Sequence, residues 1–299
     1  GAPARRNGLD LRPQGRRMSE PSIGLALGGG SARGLAHIPV LEVFDELGIR
    51  PKVIAGCSIG SLLGAAYAAG MTAREIRERA EMVLSDRMGA LRFAFGQKRI
   101  NPFDLLALRG LASLHVKGET LAGLVLPEEL PKNIEELPTP FKIIATDFDT
   151  MEERVIESGP LVKAVAASIA IPGVILGPQY DGHTYVDGCV TNPVPFNHVR
   201  EGTDIVVAVD VTGRPKDPTG KHRSNMELAV GSLLILFNQV AALRRVASPP
   251  DIYVRPAIDS FSGADYFRFR EVLEQAQPAK DQLKRELEKR LAAVSSGAP

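Results

Sequence analysis

Residues 56–60 read Gly-Cys-Ser-Ile-Gly, a GxSxG pentapeptide between a short apolar run at 53–55 and an Ala/Leu-rich run that closes at Gly70. In that setting Ser58 stands on a sharp strand-to-helix turn, and small flanking residues let a substrate carbonyl approach its Oγ. The helix N-terminus behind it favours developing negative charge. Such a serine is suited to nucleophilic attack on an ester; a glycine-rich turn without chemistry is the plainer alternative. A second cluster, Gly28-Gly29-Gly30-Ser31-Ala32-Arg33-Gly34, follows the first apolar run. It fails the dinucleotide fingerprint, because Arg33 stands where a GxGxxG counted from Gly28 needs glycine and no acid ends the second strand. It fails the P-loop, because no Gly-Lys-Ser/Thr follows. What is left is a row of backbone N–H groups at a helix start, a device for holding an oxyanion.

An ester-cleaving serine needs a base. The histidines are His37, His115, His183, His198 and His222. Ser58, Asp187 and His198 formally satisfy the α/β-hydrolase chain order of serine, acid, histidine. That fold spends several strands before its elbow, however, and here only one precedes it. An aspartate serves alone when it is partly desolvated and hydrogen-bonded to the serine. Asp187-Gly188-Cys189 follows a short strand, with Asn192-Pro193-Val194-Pro195 shaping the next loop, which suits that role. Taken in isolation, the same Asp-Gly is an ordinary turn. Asp147 and Asp149 also read as turn formers rather than as a cation site.

The elements that must position these groups follow from periodicity. Residues 22–27 form a buried strand. Leu35, Ile38, Val40, Leu41, Phe44 and Leu47 recur at helical spacing up to Gly48, with Pro39 expected to kink that helix or delay its regular part. Strand, helix, strand, helix within 50 residues is the grammar of a parallel sheet covered on both faces, hence an α/β class fold. Further strands are expected near 141–148, 154–156, 185–186, 205–211 and 252–254, and helices at 72–84, 161–169 and 224–246. Two amphipathic helices end the chain. Residues 85–118 carry Phe93, Phe95, Phe103, Leu105, Leu106 and Leu108 without a core pattern. They are read either as a mobile cover flanking an apolar channel to Ser58 or as an ordinary helical insertion.

The 299 residues are 44% hydrophobic and 24% charged, which excludes a disordered, collagenous or disulfide-stapled chain. With 36 basic and 35 acidic residues, no net charge draws the chain to nucleic acid. Residues 1–17 hold Arg5, Arg6, Arg12, Arg16 and Arg17 against Asp10, with no apolar periodicity, and read as a floppy leader. Met18 is taken as the natural start, with residues 1–17 non-native; a basic membrane tether is the alternative. Residues 20–293 are expected to form one domain. The apolar run at 228–237 is broken by Gly231 and Ser232, so no transmembrane helix is expected. Two cysteines, Cys57 and Cys189, fit a reducing, cytoplasmic setting and are expected to flank the site without a disulfide.

Four blocks in register carry a more specific message. They are LALGGGSARGLAH at 25–37, AGCSIGSLLGAAYAAG at 55–70, ASIAIPGVILGP at 167–178 and DGHTYVDGCVTNPVP at 181–195. In these blocks the chain resembles the bacterial patatin-like phospholipases, lipid acyl hydrolases with a Ser-Asp dyad. The likeness spans residues 22–211. It implies a three-layer α/β/α sandwich around a mostly parallel sheet, Ser58 as nucleophile and Asp187 as its base. Gly28, Gly29, Gly30 and Arg33 would belong to the oxyanion loop. It implies phospholipid or lysophospholipid esters as substrate, and neither metal nor cofactor. A carboxylesterase or acyltransferase, and a silent acyl-lipid sensor, stay as alternatives. Transient contact with a membrane surface and the oligomeric state stay open. Four residues depart from the pattern: Ser31 for a glycine, Pro39 for a small residue, Cys57 for the common threonine, and Cys189 for a small residue after Asp187-Gly188.

Overall fold

The computed structural model describes residues 21–85, 116–215 and 225–295. The leader, His115, His222 and nearly all of the expected cover at 85–118 lie outside them. In chain order the strands are β1 (Ile23–Leu27), β2 (Val53–Cys57), β3 (Val116–Lys117), β4 (Phe141–Asp147), β5 (Glu152–Ile156), β6 (Ile175–Leu176), β7 (Gln179–Tyr180), β8 (His183–Asp187), β9 (Ile205–Val209) and β10 (Ile252–Val254). The helices are α1 (His37–Leu47), α2 (Ile59–Ala68), α3 (Ala73–Ser85), α4 (Gly118–Val125), α5 (Leu161–Ser168), α6 (Asn225–Ala247), α7 (Phe269–Gln275) and α8 (Gln277–Ser295).

An eight-stranded sheet has the order β10-β9-β1-β2-β4-β8-β7, with β5 also on β4. Strands β10, β9, β1, β2 and β4 are parallel, β5 and β8 run antiparallel to β4, and β7 pairs antiparallel with β8. Alternation along the strands sends side chains to two separate cores. Leu25, Leu27, Ile54, Ile143 and Val207 join the larger one, with residues from α1, α2, α5 and α8. Ala26, Ala55, Val206 and Ala208 face the other side, under Phe196, Val199 and Ala241 of α6. Helices therefore cover both faces of a mostly parallel sheet, the expected α/β/α arrangement.

Proline and glycine settle two local questions. A 3-10 turn at Ser31–Ala36 precedes α1, so Pro39 falls in the first turn of the α-helix, where its missing N–H is no loss. The regular helix is delayed rather than kinked. Helix α6 runs unbroken through Gly231 and Ser232 for 23 residues. A helical glycine costs about 1 kcal/mol relative to alanine, too little to end a helix this long. The expectation that no segment reaches transmembrane length is thus corrected: by length and composition α6 is apolar enough to cross a membrane.

One feature of the pairing decides where the chemistry sits. Strand β5 fills one edge of β4 along Ile143–Asp147. On the opposite edge β2 pairs as far as Cys57 with Ile144, and β8 takes over with Asp187 opposite Ala145. The end of β2 and the end of β8 therefore abut on one edge of one strand, although 129 residues separate Ser58 from Asp187.

Candidate active site

Ser58 leaves β2 with φ 53° and ψ −125° and caps α2. Positive φ at a non-glycine residue is strained by about 1–3 kcal/mol and persists only where the surroundings hold it. They do so here. The Ser58 N–H donates to Ser168 Oγ at 2.8 Å, and Ser168 Oγ donates to Ile144 O at 2.5 Å. The Ser58 carbonyl accepts from Ser61 N–H at 2.8 Å and Ser61 Oγ at 2.7 Å. The flanking glycines are required by space. A Cβ at Gly60 would lie 2.1 Å from Leu27 O, and one at Gly56 would lie 2.5 Å from Gly60 O.

Ser58 Oγ donates to Asp187 Oδ2 at 2.6 Å, and both residues are buried. Asp187 Oδ1 accepts the Cys189 N–H at 2.8 Å, and its own N–H donates to Ala170 O at 2.9 Å. Thr146 Oγ1 donates to the Asp187 carbonyl. Burial raises the Asp187 pKa above the ordinary carboxylate range, and the bonds from Ser58 and Cys189 oppose that rise only in part. A desolvated carboxylate held on a serine hydroxyl can take its proton when the oxygen attacks.

The glycine loop comes to the same end of the sheet. A Cβ at Gly29 would fall 2.1 Å from Cys189 Sγ and 3.0 Å from Ser58 Cβ, so only glycine admits this approach. Its N–H groups are not equivalent. Those of Gly28 and Gly29 donate to Val209 O and Pro193 O, at 3.0 and 2.9 Å, and hold the loop in place. The N–H of Gly30 engages no backbone acceptor among the described residues. Arg33 is buried with Nη1 on Phe261 O at 3.0 Å, and its Nε has no hydrogen-bond partner. Burial pushes its pKa down, against the attraction of Asp259. Arg33 packs against Gly213, where a Cβ would sit 2.0 Å from the guanidinium carbon. It braces the loop against the segments at 213 and 261.

The three described histidines, His37, His183 and His198, stand elsewhere. His198 pairs with Glu153, which also accepts from Asn192 and Arg244. Burial would raise the Glu153 pKa, yet those partners bring it down to about 2. No hydrogen bond joins His198 to Ser58 or Asp187. His183 lies 2.9 Å from Asp147. His37 is fully buried, and burial lowers its pKa to about 4, so it is neutral at pH 7. Its Nε2 meets Gly28 O at 2.7 Å, which ties the glycine loop to α1. Sequence reasoning overlooked Ser168, which lies inside the quoted block ASIAIPG; His37, on the helix after the glycine loop and expected to serve packing or capping, is buried as a packing residue.

Cys57 and Cys189 are buried free thiols with Sγ atoms 3.5 Å apart. Burial pushes the Cys57 thiol up, and the contact with Cys57 together with burial pushes Cys189 up further. Their donor atoms and Asp187 lie within 4.8 Å of one another, as do those of Asp147, Asp149 and His183. In the second group Asp147 Oδ1 already accepts the N–H groups of Asp149 and Thr150, and Asp149 Oδ2 that of Thr184. The bonds to Asp147 are those of a turn, and the bond to Asp149 ties that turn to β8.

A family model described as patatin-like phospholipase matches residues 25–200. An uncharacterized NTE family protein of Mycobacterium tuberculosis is 32% identical over 212 residues, 70% of this chain and 54% of the relative. The chain thus spans about half the length of that relative. Lysophospholipase NTE1 of Phaeosphaeria nodorum is 26% identical over 289 residues, 89% of this chain and 18% of the relative. Among solved structures, VipD from Legionella pneumophila aligns with 89% of this chain and 67% of its own, at 14% identity and a TM-score of 0.45.

Proposed function

The chain belongs to the patatin-like phospholipase family, and on that premise we propose that it is a serine esterase cleaving acyl esters of phospholipid or lysophospholipid. The observation that carries this reading is the 2.6 Å bond from Ser58 Oγ to Asp187 Oδ2, made by a strained serine at the head of a helix. Asp187 takes the hydroxyl proton as Oγ attacks the ester carbonyl, giving a tetrahedral oxyanion. The N–H groups of Gly30 and Ser31 are the loop's available donors. The N–H of Ile59, first residue of α2, is another, because helix-first N–H groups lack an intrahelical acceptor. Each such donor is worth about 2.7–4 kcal/mol to the transition state. Gly28, Gly29 and Arg33 serve by fixing the loop. Collapse expels the alcohol, which leaves with the proton held on Asp187. Water, deprotonated by the same carboxylate, then frees the fatty acid and restores Ser58. Lysophospholipid is favoured by the printed name of the Phaeosphaeria relative.

The test is turnover of lysophosphatidylcholine and of short p-nitrophenyl esters by the purified protein. Free fatty acid and p-nitrophenol are expected in stoichiometric release. Acyl-lipid binding with neither product would turn the reading to a silent lipid sensor, and p-nitrophenol alone would turn it to a general carboxylesterase.

The same reading assigns no chemistry to His198. His198→Ala is expected to leave kcat/KM for the p-nitrophenyl ester within about threefold. Stability should fall by about 1–3 kcal/mol as Glu153 loses a partner, a drop visible in the melting temperature. Loss of turnover with an unchanged melting temperature would restore the Ser-His-Asp alternative.

A further inference from the structure

Ser31 holds a conformation it needs help to keep. Its φ of 53° lies in the left-handed region, where a side chain is strained and glycine is not. It follows Gly30 directly and opens the 3-10 turn Ser31–Ala36. The help comes from far along the chain, out of the segment that leads into α7. Ser31 Oγ donates to Gly263 O at 2.8 Å. A hydroxyl has one proton, here spent on that carbonyl, so in the 2.9 Å contact with Tyr266 Oη the phenol is the donor. Desolvation raises the Tyr266 pKa, and the phenol keeps that proton at neutral pH. Gly263 O also accepts the Ala32 N–H at 3.2 Å, and Phe261 O accepts from Arg33 Nη1 at 3.0 Å. Ser31, Ala32 and Arg33 are thus all tied to one short segment. That segment is itself fixed: Phe261 belongs to the larger core, the Tyr266 ring packs on the same core, and Asp265 Oδ2 accepts the Ser262 N–H at 2.6 Å. The start of the glycine loop has separate anchors. Gly28 and Gly29 donate to Val209 O and Pro193 O, and a Cβ at Gly30 would fall 2.1 Å from Val211 O. The N–H groups of Gly30 and Ser31 lie between the two sets of anchors.

We propose that Tyr266 is a positioning residue for ester cleavage: through Ser31 Oγ it fixes the Ser31 peptide, and with it the aim of the Gly30 and Ser31 N–H groups at the oxyanion. The assignment rests on the esterase reading above. A donor lowers the barrier most when it is already aimed at the place where charge develops. A misplacement of about 1 Å near a reacting centre can cost about a hundredfold in rate. No hydrogen bond joins Tyr266 to Ser58 or Asp187, so its effect passes through Ser31. The tie also reaches outside residues 25–200, the span of the family match. The C-terminal part of the chain, which supplies none of the reacting groups, thereby holds the loop that does.

The experiment compares Tyr266→Phe, Ser31→Gly and the double variant with the wild type, counting p-nitrophenyl ester turnover per fluorophosphonate-reactive site. Phenylalanine keeps the ring on the core and deletes only the hydroxyl. Its kcat is expected to fall about tenfold with KM within about twofold, the pattern of an interaction used in the transition state. Affinity for a trifluoromethyl ketone, which forms an oxyanion adduct on the serine, should weaken by a similar factor. Glycine at position 31 takes positive φ unaided and has no hydroxyl to meet Tyr266. Adding Tyr266→Phe to Ser31→Gly should therefore change kcat by less than about twofold. A tyrosine that serves folding alone behaves differently: the melting temperature drops and fewer sites react, while kcat per site holds. That outcome would overturn the proposal, as would an equal loss of kcat in both backgrounds. A wild type without ester turnover would remove the esterase reading and this assignment together. An active wild type matched by Tyr266→Phe would remove the assignment alone.

Discussion

Ser58→Ala is expected to reduce ester turnover about a millionfold, the loss seen when a serine hydrolase loses its nucleophile. The described residues bonded to Ser58 offer no substitute: the hydroxyls of Ser61 and Ser168 are committed to Ser58 O and Ile144 O. A fluorophosphonate probe should label Ser58 in the wild type and leave the alanine variant unlabelled. Labelling of any other serine would defeat the assignment. Folding is a separate matter, because the elbow's geometry comes from Gly56, Gly60, Ser61 and Ser168 rather than from Oγ. Alanine keeps the strained φ of 53°, whereas glycine is at ease there. Ser58→Gly should therefore melt above Ser58→Ala. Relief of strain of about 1–3 kcal/mol outweighs the roughly 0.4–1 kcal/mol by which a glycine loosens the unfolded chain. Equal melting temperatures would mean that the elbow stores no strain.

Much of this site is legible in the residues because it is local. A strand, a glycine run and a helix start are contiguous in sequence, so periodicity and glycine placement locate both the loop and the elbow. What is not local is harder to read. Asp187 reaches Ser58 only because β2 stops at Ile144 and β8 continues along the same edge of β4 from Ala145. No spacing rule encodes that handover, which is why His198 stays a formal contender until the pairing is known. The glycine loop shows a second limit. A row of N–H groups reads as a row of donors, yet Gly28 and Gly29 spend theirs on Val209 and Pro193.

Ser31 shows a third. Its sequence departure looks mild because the N–H survives, but the residue sits at φ 53°, a glycine conformation. Its hydroxyl supplies what a glycine would not, donating to Gly263 O at 2.8 Å and meeting Tyr266 Oη at 2.9 Å. Helix α6 is the converse case. Its apolar run is plain in the sequence, but which face meets the sheet depends on Gly213, Glu153 and Thr191, residues brought to it by the tertiary fold.

Asp187→Asn is expected to lower kcat by about 10²–10⁴-fold, the usual share of a general base. The amide still fills the site and can accept the Cys189 N–H, so the loss reports proton transfer rather than collapse. Two pH dependences follow from burial of the carboxyl, whose pKa is raised. The first is kinetic: wild-type turnover needs Asp187 ionised, so it should fall as the pH drops through that raised value, and the variant's residual rate should lack this acid limb. The second is thermodynamic. Between the ordinary carboxylate pKa and the raised one, the folded protein keeps a proton that the unfolded chain has released. Stability therefore declines as the pH climbs through that window, is lowest above it, and is unaffected below it. Asparagine carries no charge at any of these pH values. The variant should thus melt above the wild type at neutral pH, and the gap should close in acid below the ordinary carboxylate range. Melting curves and initial rates across pH check both signs. A variant that keeps a tenth or more of the wild-type rate, or whose stability gain persists unchanged in acid, would remove Asp187 from the role of a desolvated base.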